Sequence, residues 1–156
     1  MSWRAALLLL ALSGCDAGGG QPAAVATTTG LPVTVSGPGG RHVFQVEVAK
    51  TAAQQAQGLM YRTDLKPGGG MLFWPYPPEG GPPRQASFWM KNTPTPLDIV
   101  FIRADGTIAR IAENTIPQSE ERIASGEPIA AVLELVGGRA AELGIAEGDT
   151  VSWPGR

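Results

Sequence analysis

The chain has 156 residues, with 12 Lys and Arg against 14 Asp and Glu and a formal net charge of −2. This length fits one domain with a tail, and the near-neutral charge argues against a polybasic binder of nucleic acid or of a membrane surface. One cysteine excludes an intrachain disulfide, and one histidine excludes every two-histidine metal motif. With 21 Gly and 14 Pro but 43% hydrophobic residues, the composition predicts a compact, turn-rich domain that has no nucleic-acid partner.

The N-terminus resembles the signal peptide of a bacterial lipoprotein. Residues 5–12 form an unbroken apolar stretch after Arg4, and this stretch is too short to span a bilayer. Leu12-Ser13-Gly14-Cys15 follows and resembles a lipobox, in which cleavage before the cysteine follows its lipidation. We therefore expect residues 1–14 to be removed. Cys15 would then carry acyl chains such as palmitate and anchor the protein to a membrane of the cell envelope, facing the periplasm or the exterior. The alternative is that Cys15 is an incidental free thiol.

Residues 15–40 are predicted to be a flexible tether. They are mostly Gly, Ala, Thr and Pro with almost no charge, so they cannot bury enough apolar surface to offset the entropy of ordering. Within them, residues 31–35 could begin a strand. We place the folded domain at residues 41–154.

The first elements of the domain are a strand and a short helix. Residues 42–50 alternate between apolar and polar side chains, which predicts a half-buried strand. Thr51 and Gln54 form a capping-box pattern that opens a helix over residues 52–57, and Gly58 stops it. Strands are also predicted at residues 71–74 and 87–92, separated by a loop over residues 74–84 that contains five prolines.

The second half of the chain predicts a meander of strands. Residues 97–102 and 107–112 flank Ala104-Asp105-Gly106, a hairpin signal. A strand at 129–136, a short helix at 138–143 and a last strand through Val151 follow. No strand is regularly followed by a long crossover helix, so a doubly wound sheet is not expected. The predicted fold is mainly β: a compact antiparallel β-sandwich or flattened barrel with two short helices.

Five segments occur in an order that resembles the domain-of-unknown-function 192 family of bacteria and archaea. They are Gly58-Leu59-Met60-Tyr61-Arg62, Gly70-Met71-Leu72-Phe73, Phe88-Trp89-Met90-Lys91-Asn92-Thr93, Pro96-Leu97-Asp98-Ile99-Val100-Phe101-Ile102, and Leu133-Glu134-Leu135 with Gly137-Gly138. The resemblance covers residues 44–151 and implies a compact, mostly β domain that is often exported. It implies no activity. The loop between the second and third segments is longer than in the family pattern.

Polar side chains inside the apolar strands give a candidate ligand site. Buried carboxylates need partners, so Asp98 and Glu134 are each expected to meet a basic residue, an amide or a backbone donor. One interpretation is that they only stabilise turns and strand ends. The other is a small polar cleft that binds a small polar or anionic ligand. The candidate contacts for that ligand are Arg62, Trp89, Lys91, Asn92, Asp98 and Glu134.

The sequence gives no strong signal for catalysis, so we assign no catalytic residue, metal or cofactor. It contains no phosphate loop and no nucleophile elbow, and His42 has no other motif residue near it in sequence. An envelope glycan hydrolase that uses Asp98 and Glu134 is kept as an alternative and requires both carboxyls to face one cleft.

A second alternative is Cu(I) handling outside the cytoplasm. Met60, Met71 and Met90 lie in recognisable segments, and thioethers suit Cu(I), with His42 or Trp89 completing the site. Methionine is also ordinary core filler, which is the interpretation we favour.

Overall fold

The computed structural model describes residues 30–156 and contains nine strands and two helices in that range. In chain order they are β1 (Leu31–Gly37), β2 (Gly40–Ala49), α1 (Ala52–Gln57), β3 (Gly70–Phe73), β4 (Arg84–Phe88), β5 (Leu97–Ile102), β6 (Ile108–Ala112), β7 (Ile123–Ile129), β8 (Ala131–Val136), α2 (Arg139–Leu143) and β9 (Thr150–Ser152). Neither helix in the described part of the chain is long and apolar enough to cross a membrane.

Seven strands form one sheet in the order β6-β5-β8-β3-β2-β1-β9, and β4 pairs with β7 in a second, two-stranded sheet. An isolated antiparallel bridge between Thr107 and Thr150 joins the two ends of the large sheet, which is therefore nearly closed into a barrel. The predicted mainly β fold with two short helices is confirmed. One pair, β2 with β3, is parallel, because the chain crosses over through α1 between these strands.

Two apolar clusters lie on opposite faces of the large sheet. All seven of its strands contribute side chains to the first cluster, which fills the barrel interior and includes Val35, Phe44 and Leu133. The second cluster lies between the outer face of the sheet and the β4–β7 pair. Strand β5 contributes to both because successive side chains alternate: Val100 belongs to the interior, whereas Phe101 belongs to the outer cluster.

The local signals for α1 and for the hairpin are confirmed. The Thr51 hydroxyl accepts a hydrogen bond from the Gln54 amide at 3.2 Å, and the Gln54 side chain accepts one from the Thr51 amide at 3.0 Å. Gly58 ends the helix with a φ of 50°. In the β5–β6 turn, Asp105 accepts hydrogen bonds from the amide and the hydroxyl of Thr107, both at 2.8 Å.

The folded domain begins earlier than residue 41. Residues 31–37 lie in the predicted tether, within which a strand was considered from residue 31, and they form β1 and pair with β2 along their whole length. Val33 and Val35 are buried in the barrel interior. The small residues and proline around these valines make the alternation of buried and more exposed side chains hard to recognise in the sequence. The strand is stabilised by pairing with β2 and β9. The predicted signal peptide, Cys15 and the tether up to residue 29 lie outside the described residues.

Two strand predictions near the second sheet have different bounds in the structure. The strand predicted at 87–92 ends at Phe88, and Trp89 begins a loop in which Asn92 adopts a left-handed φ of 54°. The strand predicted at 129–136 is confirmed over residues 131–136 as β8, whereas Ile129 is the last residue of β7, which was not predicted. Gly126 and Pro128 lie within β7 and interrupt the sequence pattern, so this strand depends on its pairing with β4.

Candidate functional site

A cavity of about 430 Å³ lies between α1, the proline-rich loop, the second sheet and the outer face of the large sheet; we call it the α1 cavity. The helix and the turn after it form one wall, and aromatic side chains form much of the rest. The lining residues are Ala52, Gln55, Ala56, Gln57, Gly58, Leu59, Met60, Phe73, Tyr76, Pro78, Glu79, Arg84, Ser87, Phe88, Trp89, Thr93, Arg122 and Glu134.

Glu134 places a buried carboxyl group in this lining. It lies on β8, and its cross-strand neighbours are Met71 on β3 and Ile99 on β5, both apolar. The residue is 5% exposed, and its Oε2 atom has no hydrogen-bond partner. Burial raises the pKa of Glu134 to about 8, so the side chain is mostly protonated at neutral pH. The expectation that Glu134 meets a basic residue or a backbone donor is therefore wrong.

Gln55 adds a second unpartnered oxygen to the cavity wall. Its Nε2 atom donates to the carbonyl oxygens of Ala49 at 3.0 Å and of Pro75 at 2.7 Å, which uses both amide hydrogens and fixes the orientation of the amide. Its Oε1 atom is buried and has no partner. The side chain thus links α1 to the proline-rich loop, and its buried acceptor has no hydrogen bond.

Aromatic rings form the apolar part of the cavity wall. Phe88 packs edge-on against Phe73, with ring centroids 5.2 Å apart. The ring centroids of Tyr76 and Phe88 are 6.1 Å apart. Burial raises the pKa of Tyr76. The proline-rich loop that carries Tyr76 therefore forms part of the cavity wall, and this apolar wall suits the body of a small organic molecule.

Charged side chains surround Trp89 at the edge of the cavity. The Arg122 guanidinium lies 4.2 Å from the centroid of the indole ring, and Lys91 Nζ lies 5.1 Å from it. Lys91 is also 3.3 Å from Glu120. Arg122, which is exposed, forms no ion pair with a described residue.

The structure brings Trp89 and Glu134 together in the α1 cavity and leaves the other predicted contacts outside its lining. Lys91 touches the indole of Trp89 from outside. Asn92 lies in the adjacent turn, where its carbonyl oxygen accepts from the Tyr61 amide at 2.7 Å. These two residues border the site without lining it.

Arg62 is already neutralised by two carboxylates. It donates to Asp64 at 2.6 Å and to Glu47 at 2.9 Å, and the hydrogen bond from Arg62 lowers the pKa of Asp64. This network lies beside a separate groove along the outer face of β2. Because Arg62 is held there, it does not join Trp89 in one cleft as predicted.

Asp98 is a structural residue at the barrel end. It is fully buried, and its carboxylate accepts three backbone hydrogen bonds, from the amides of Asn114 at 2.7 Å, Gly138 at 2.9 Å and Ala140 at 2.7 Å. These bonds hold the N-terminal end of α2 against the sheet. The backbone donors that the sequence analysis expected for Asp98 are present.

The strand register separates Asp98 from Glu134. Asp98 is paired with Leu135, whereas Glu134 is paired with Ile99, so the two carboxyls point to opposite faces of the sheet. The hydrolase alternative required both in one cleft, and that hypothesis is wrong. Its error has a simple cause: residue spacing along the chain does not reveal the register of two distant strands.

The methionines and His42 are divided between the two faces. Met60 lines the α1 cavity, and Met71 and Met90 are buried in the outer cluster. His42 shares its strand face with Phe44 in the barrel interior, and its Nε2 atom lies 3.3 Å from the Gly39 carbonyl oxygen. His42 therefore does not share the cavity. No cluster of three or more His, Cys, Asp or Glu suited to a metal ion occurs within residues 30–156.

Sequence reasoning predicted Trp89 and Glu134 as ligand contacts and missed the other lining residues, among them the polar Gln55 and Arg122. Gln55 lies in a helix rich in alanine and glutamine, where a glutamine is usually solvated, and nothing in the sequence distinguishes it from its neighbours. Arg122 follows two glutamates in a charged segment that suggests an exposed loop. Only the packing of α1 and β7 around Trp89 brings them to one site.

Comparison with known sequences and structures gives the following relatives. The sequence profile of the domain of unknown function 192, described as an uncharacterized ACR, matches residues 33–153. A crystal structure of a protein of unknown function from Novosphingobium aromaticivorans is 49% identical over 78% of this chain and 84% of that chain, with a TM-score of 0.73. A crystal structure of a protein from Sinorhizobium meliloti, named as a candidate transcription regulator, is 43% identical over 81% of this chain and 95% of that chain, with a TM-score of 0.74. No curated protein matches.

Proposed function

The chain belongs to the domain-of-unknown-function 192 family, and we propose that within this fold it is a non-catalytic module that binds a small organic ligand in the α1 cavity. In this proposal the aromatic wall holds the apolar part of the ligand, and Glu134 bonds to its polar group. Arg122, Trp89 and the proline-rich loop control access at the mouth. Relative to the set expected from the sequence, Trp89 and Glu134 remain as contacts, and Gln55 and Arg122 are added.

The unpartnered carboxyl of Glu134 carries the proposal. A buried polar group without a hydrogen bond costs free energy, and a carboxyl costs more than an amide or a hydroxyl once it ionises. The cross-strand neighbours of Glu134, Met71 and Ile99, are both apolar, so they give the carboxyl no hydrogen bond. Groups that are kept at a cost to stability in a cavity are typical of ligand sites.

Binding is favoured over catalysis because the cavity lining offers no second buried carboxyl to share acid–base chemistry with Glu134. Among the residues that line it, the other carboxylate is Glu79, which is exposed and lies 2.9 Å from Arg84. Asp98, the proposed partner in hydrolysis, is on the opposite face of the sheet. A single buried acid next to aromatic rings is sufficient to orient a ligand.

A pair of alanines in α1 allows the cavity to be blocked with a matched control. Ala56 and Ala53 are both exposed on the same helix, but only Ala56 lines the cavity. We expect Ala56→Trp and Ala53→Trp to change the stability of the free protein by about 0.5 kcal/mol or less. The melting-temperature increase caused by a ligand found in a metabolite screen should persist in Ala53→Trp and disappear in Ala56→Trp.

Two results would count against this proposal. One is a screen of amino acids, sugars, nucleotides and organic acids in which no compound raises the melting temperature, since ligand at 100 times Kd stabilises by about 2.7 kcal/mol. The other is a ligand that stabilises both tryptophan variants equally, which would place its site outside the α1 cavity.

We further propose that the domain is anchored in the cell envelope through lipid on Cys15. The support is the lipobox-like Leu12-Ser13-Gly14-Cys15 after an apolar stretch. The distance from Cys15 to the start of β1 is 16 residues, which is enough for the domain to stand clear of a bilayer surface.

Replacing Cys15 with serine should release the protein from the membrane fraction. Two or more acyl chains give stable anchoring, and serine cannot accept them through a thioether. We expect the wild type to sediment with membranes and to have an intact mass that corresponds to a lipidated chain beginning at Cys15. A Cys15→Ser protein that still sediments with membranes would contradict the anchor.

Cu(I) handling is the second candidate, and one observation favours it. Met60 lines the α1 cavity, and Met71 and Met90 lie in the cluster behind it, with Met71 next to Glu134 in the sheet. Burial in an apolar cluster is equally typical of core methionines, which is why the organic ligand ranks first. Cu(I) therefore belongs in the same screen, with a competing chelator, and binding that Met90→Leu abolishes would favour copper.

A further inference from the structure

The unpartnered atoms of the α1 cavity define what its ligand must offer. Gln55 Oε1 is an acceptor, and both amide hydrogens of Gln55 are already used. Glu134 Oε2 is also unpartnered, and no basic residue is paired with this carboxyl. We infer that a single group of the ligand bonds to both residues once the side chains adjust to it, and such a group must donate at least two hydrogen bonds. A primary ammonium, with three donors and a positive charge, meets this requirement best.

The charged residues at the mouth of the cavity indicate which chemical group the outer end of the ligand carries. Arg84 is paired with Glu79, and Lys91 lies beside Glu120. Arg122 stacks on Trp89 and has no carboxylate partner among the described residues. The site thus has one unpaired carboxyl inside and one unpaired guanidinium at its edge. This arrangement is complementary to a molecule that carries charges of both signs.

We propose that the ligand is an amino-acid-like zwitterion with an apolar side chain. Its ammonium donates to Glu134 and Gln55, its carboxylate faces Arg122, and its side chain packs on Phe73 and Phe88. The inference rests on the proposed binding function and adds the chemical class of the ligand. A cavity of about 430 Å³ has room for a single apolar amino acid or a short peptide of the same kind.

Proton linkage follows from this arrangement. An ammonium binds the ionised form of Glu134, whose pKa is raised to about 8 in the free protein, so binding below pH 8 releases a proton. The other titratable groups in the lining are Tyr76, Glu79, Arg84 and Arg122, and α1 contributes none. Affinity should therefore rise by up to about tenfold per pH unit between pH 6 and 8 and then level off.

The test compares three sets of probes by calorimetry and thermal shift at pH 7.5. The first set is leucine, methionine, phenylalanine and tryptophan; the second is their decarboxylated amines; the third is the acids that lack the amino group. We expect the amino acids to bind best and the acids weakest. Glu134→Gln should lower the affinity for the amino acids and the amines by about 10- to 100-fold. Arg122→Gln should weaken binding of the amino acids and of the acids but not of the amines. Glu121→Gln, at an exposed carboxylate next to Arg122, should leave the affinity for all three sets unchanged.

The outcomes distinguish this inference from the binding function itself. Acids that bind as tightly as amino acids, or a Glu134→Gln variant with unchanged affinity for the amines, would overturn the zwitterion. The zwitterion would also be overturned if none of the twelve probes binds but another compound does, and Ala56→Trp abolishes binding of that compound. The cavity would then bind a different class of ligand. If no compound of any class binds, the binding function fails as well.

Discussion

Replacing Glu134 with glutamine is expected to stabilise the folded protein at pH 8 by a few kcal/mol and to leave its stability nearly unchanged at pH 4. The pKa of Glu134 is raised from 4.5 to about 8 by burial. Below pH 4.5 the side chain is protonated in both the folded and the unfolded states, so it creates no pH dependence. Between pH 4.5 and 8 the unfolded chain loses this proton and the folded chain retains it.

The wild-type protein should therefore lose stability as the pH rises through this window, by about 1.4 kcal/mol per pH unit at most. Above pH 8 the loss stops growing, since both states are then ionised. Glu134→Gln keeps the shape of the side chain without the ionisation, so the difference between the two proteins should increase from pH 4.5 to 8.

Urea unfolding of both proteins from pH 4 to 9 measures the difference. Glu121→Gln, at an exposed carboxylate, is the matched control and should follow the wild type within about 0.5 kcal/mol. A Glu134→Gln protein that is less stable than the wild type at pH 8 would mean that the native carboxylate has a favourable partner. The interpretation of Glu134 as an unsatisfied group kept for a ligand would then be wrong.

Replacing Asp98 with alanine should have the opposite effect and destabilise the fold by about 4 kcal/mol or more. The change leaves the backbone amides of Asn114, Gly138 and Ala140 without acceptors in a buried environment, and each orphaned donor costs about 1–3 kcal/mol. Because α2 has no side-chain cap of its own, its first turn should also come loose.

Asp98→Asn keeps one acceptor oxygen and should lie between the wild type and Asp98→Ala in urea unfolding. It also gives a measurable value if the alanine variant does not fold. Asp105→Ala, which removes an exposed aspartate that bonds to Thr107, is the control for losing a carboxylate in a turn. We expect it to cost about 1 kcal/mol. A cost of 1 kcal/mol or less for Asp98→Ala would contradict the structural role assigned to this residue.

Local signals in the sequence predict their elements well. The capping box of Thr51 and Gln54 defines the start of α1, and Gly58 defines its end. Asp105-Gly106 marks the hairpin between β5 and β6. Each of these features depends on hydrogen bonds between residues that are close in the chain, so the sequence contains all the partners.

The strands that the sequence predicts incompletely or not at all depend on partners far away in the chain. Strand β7 contains Gly126 and Pro128 and is stabilised by pairing with β4, about 40 residues earlier. Strand β1 was placed inside the tether, with a strand considered only over residues 31–35, because its composition resembles that of the residues before it. In both cases the neighbouring strand provides the stability that the local pattern does not reveal.

The site could be predicted only in part for the same reason. A carboxyl in the apolar run around Glu134 is visible in the sequence, and Trp89 lies in a recognisable segment. Which face of the sheet each carboxyl occupies depends on the register of β5 against β8, which separates Asp98 from Glu134. Gln55 enters the site only because α1 folds back over the outer face of the sheet.

The central claim is that the α1 cavity holds a buried carboxyl that has no partner in the free protein. The ¹³C chemical shift of the Glu134 side-chain carboxyl, followed by NMR from pH 3 to 10, measures this directly. We expect a midpoint of about 8 for the free protein, and this midpoint should fall when an amine-bearing ligand is added. A midpoint near 4.5 without ligand would mean that the carboxyl is solvated or already paired, and would contradict the account.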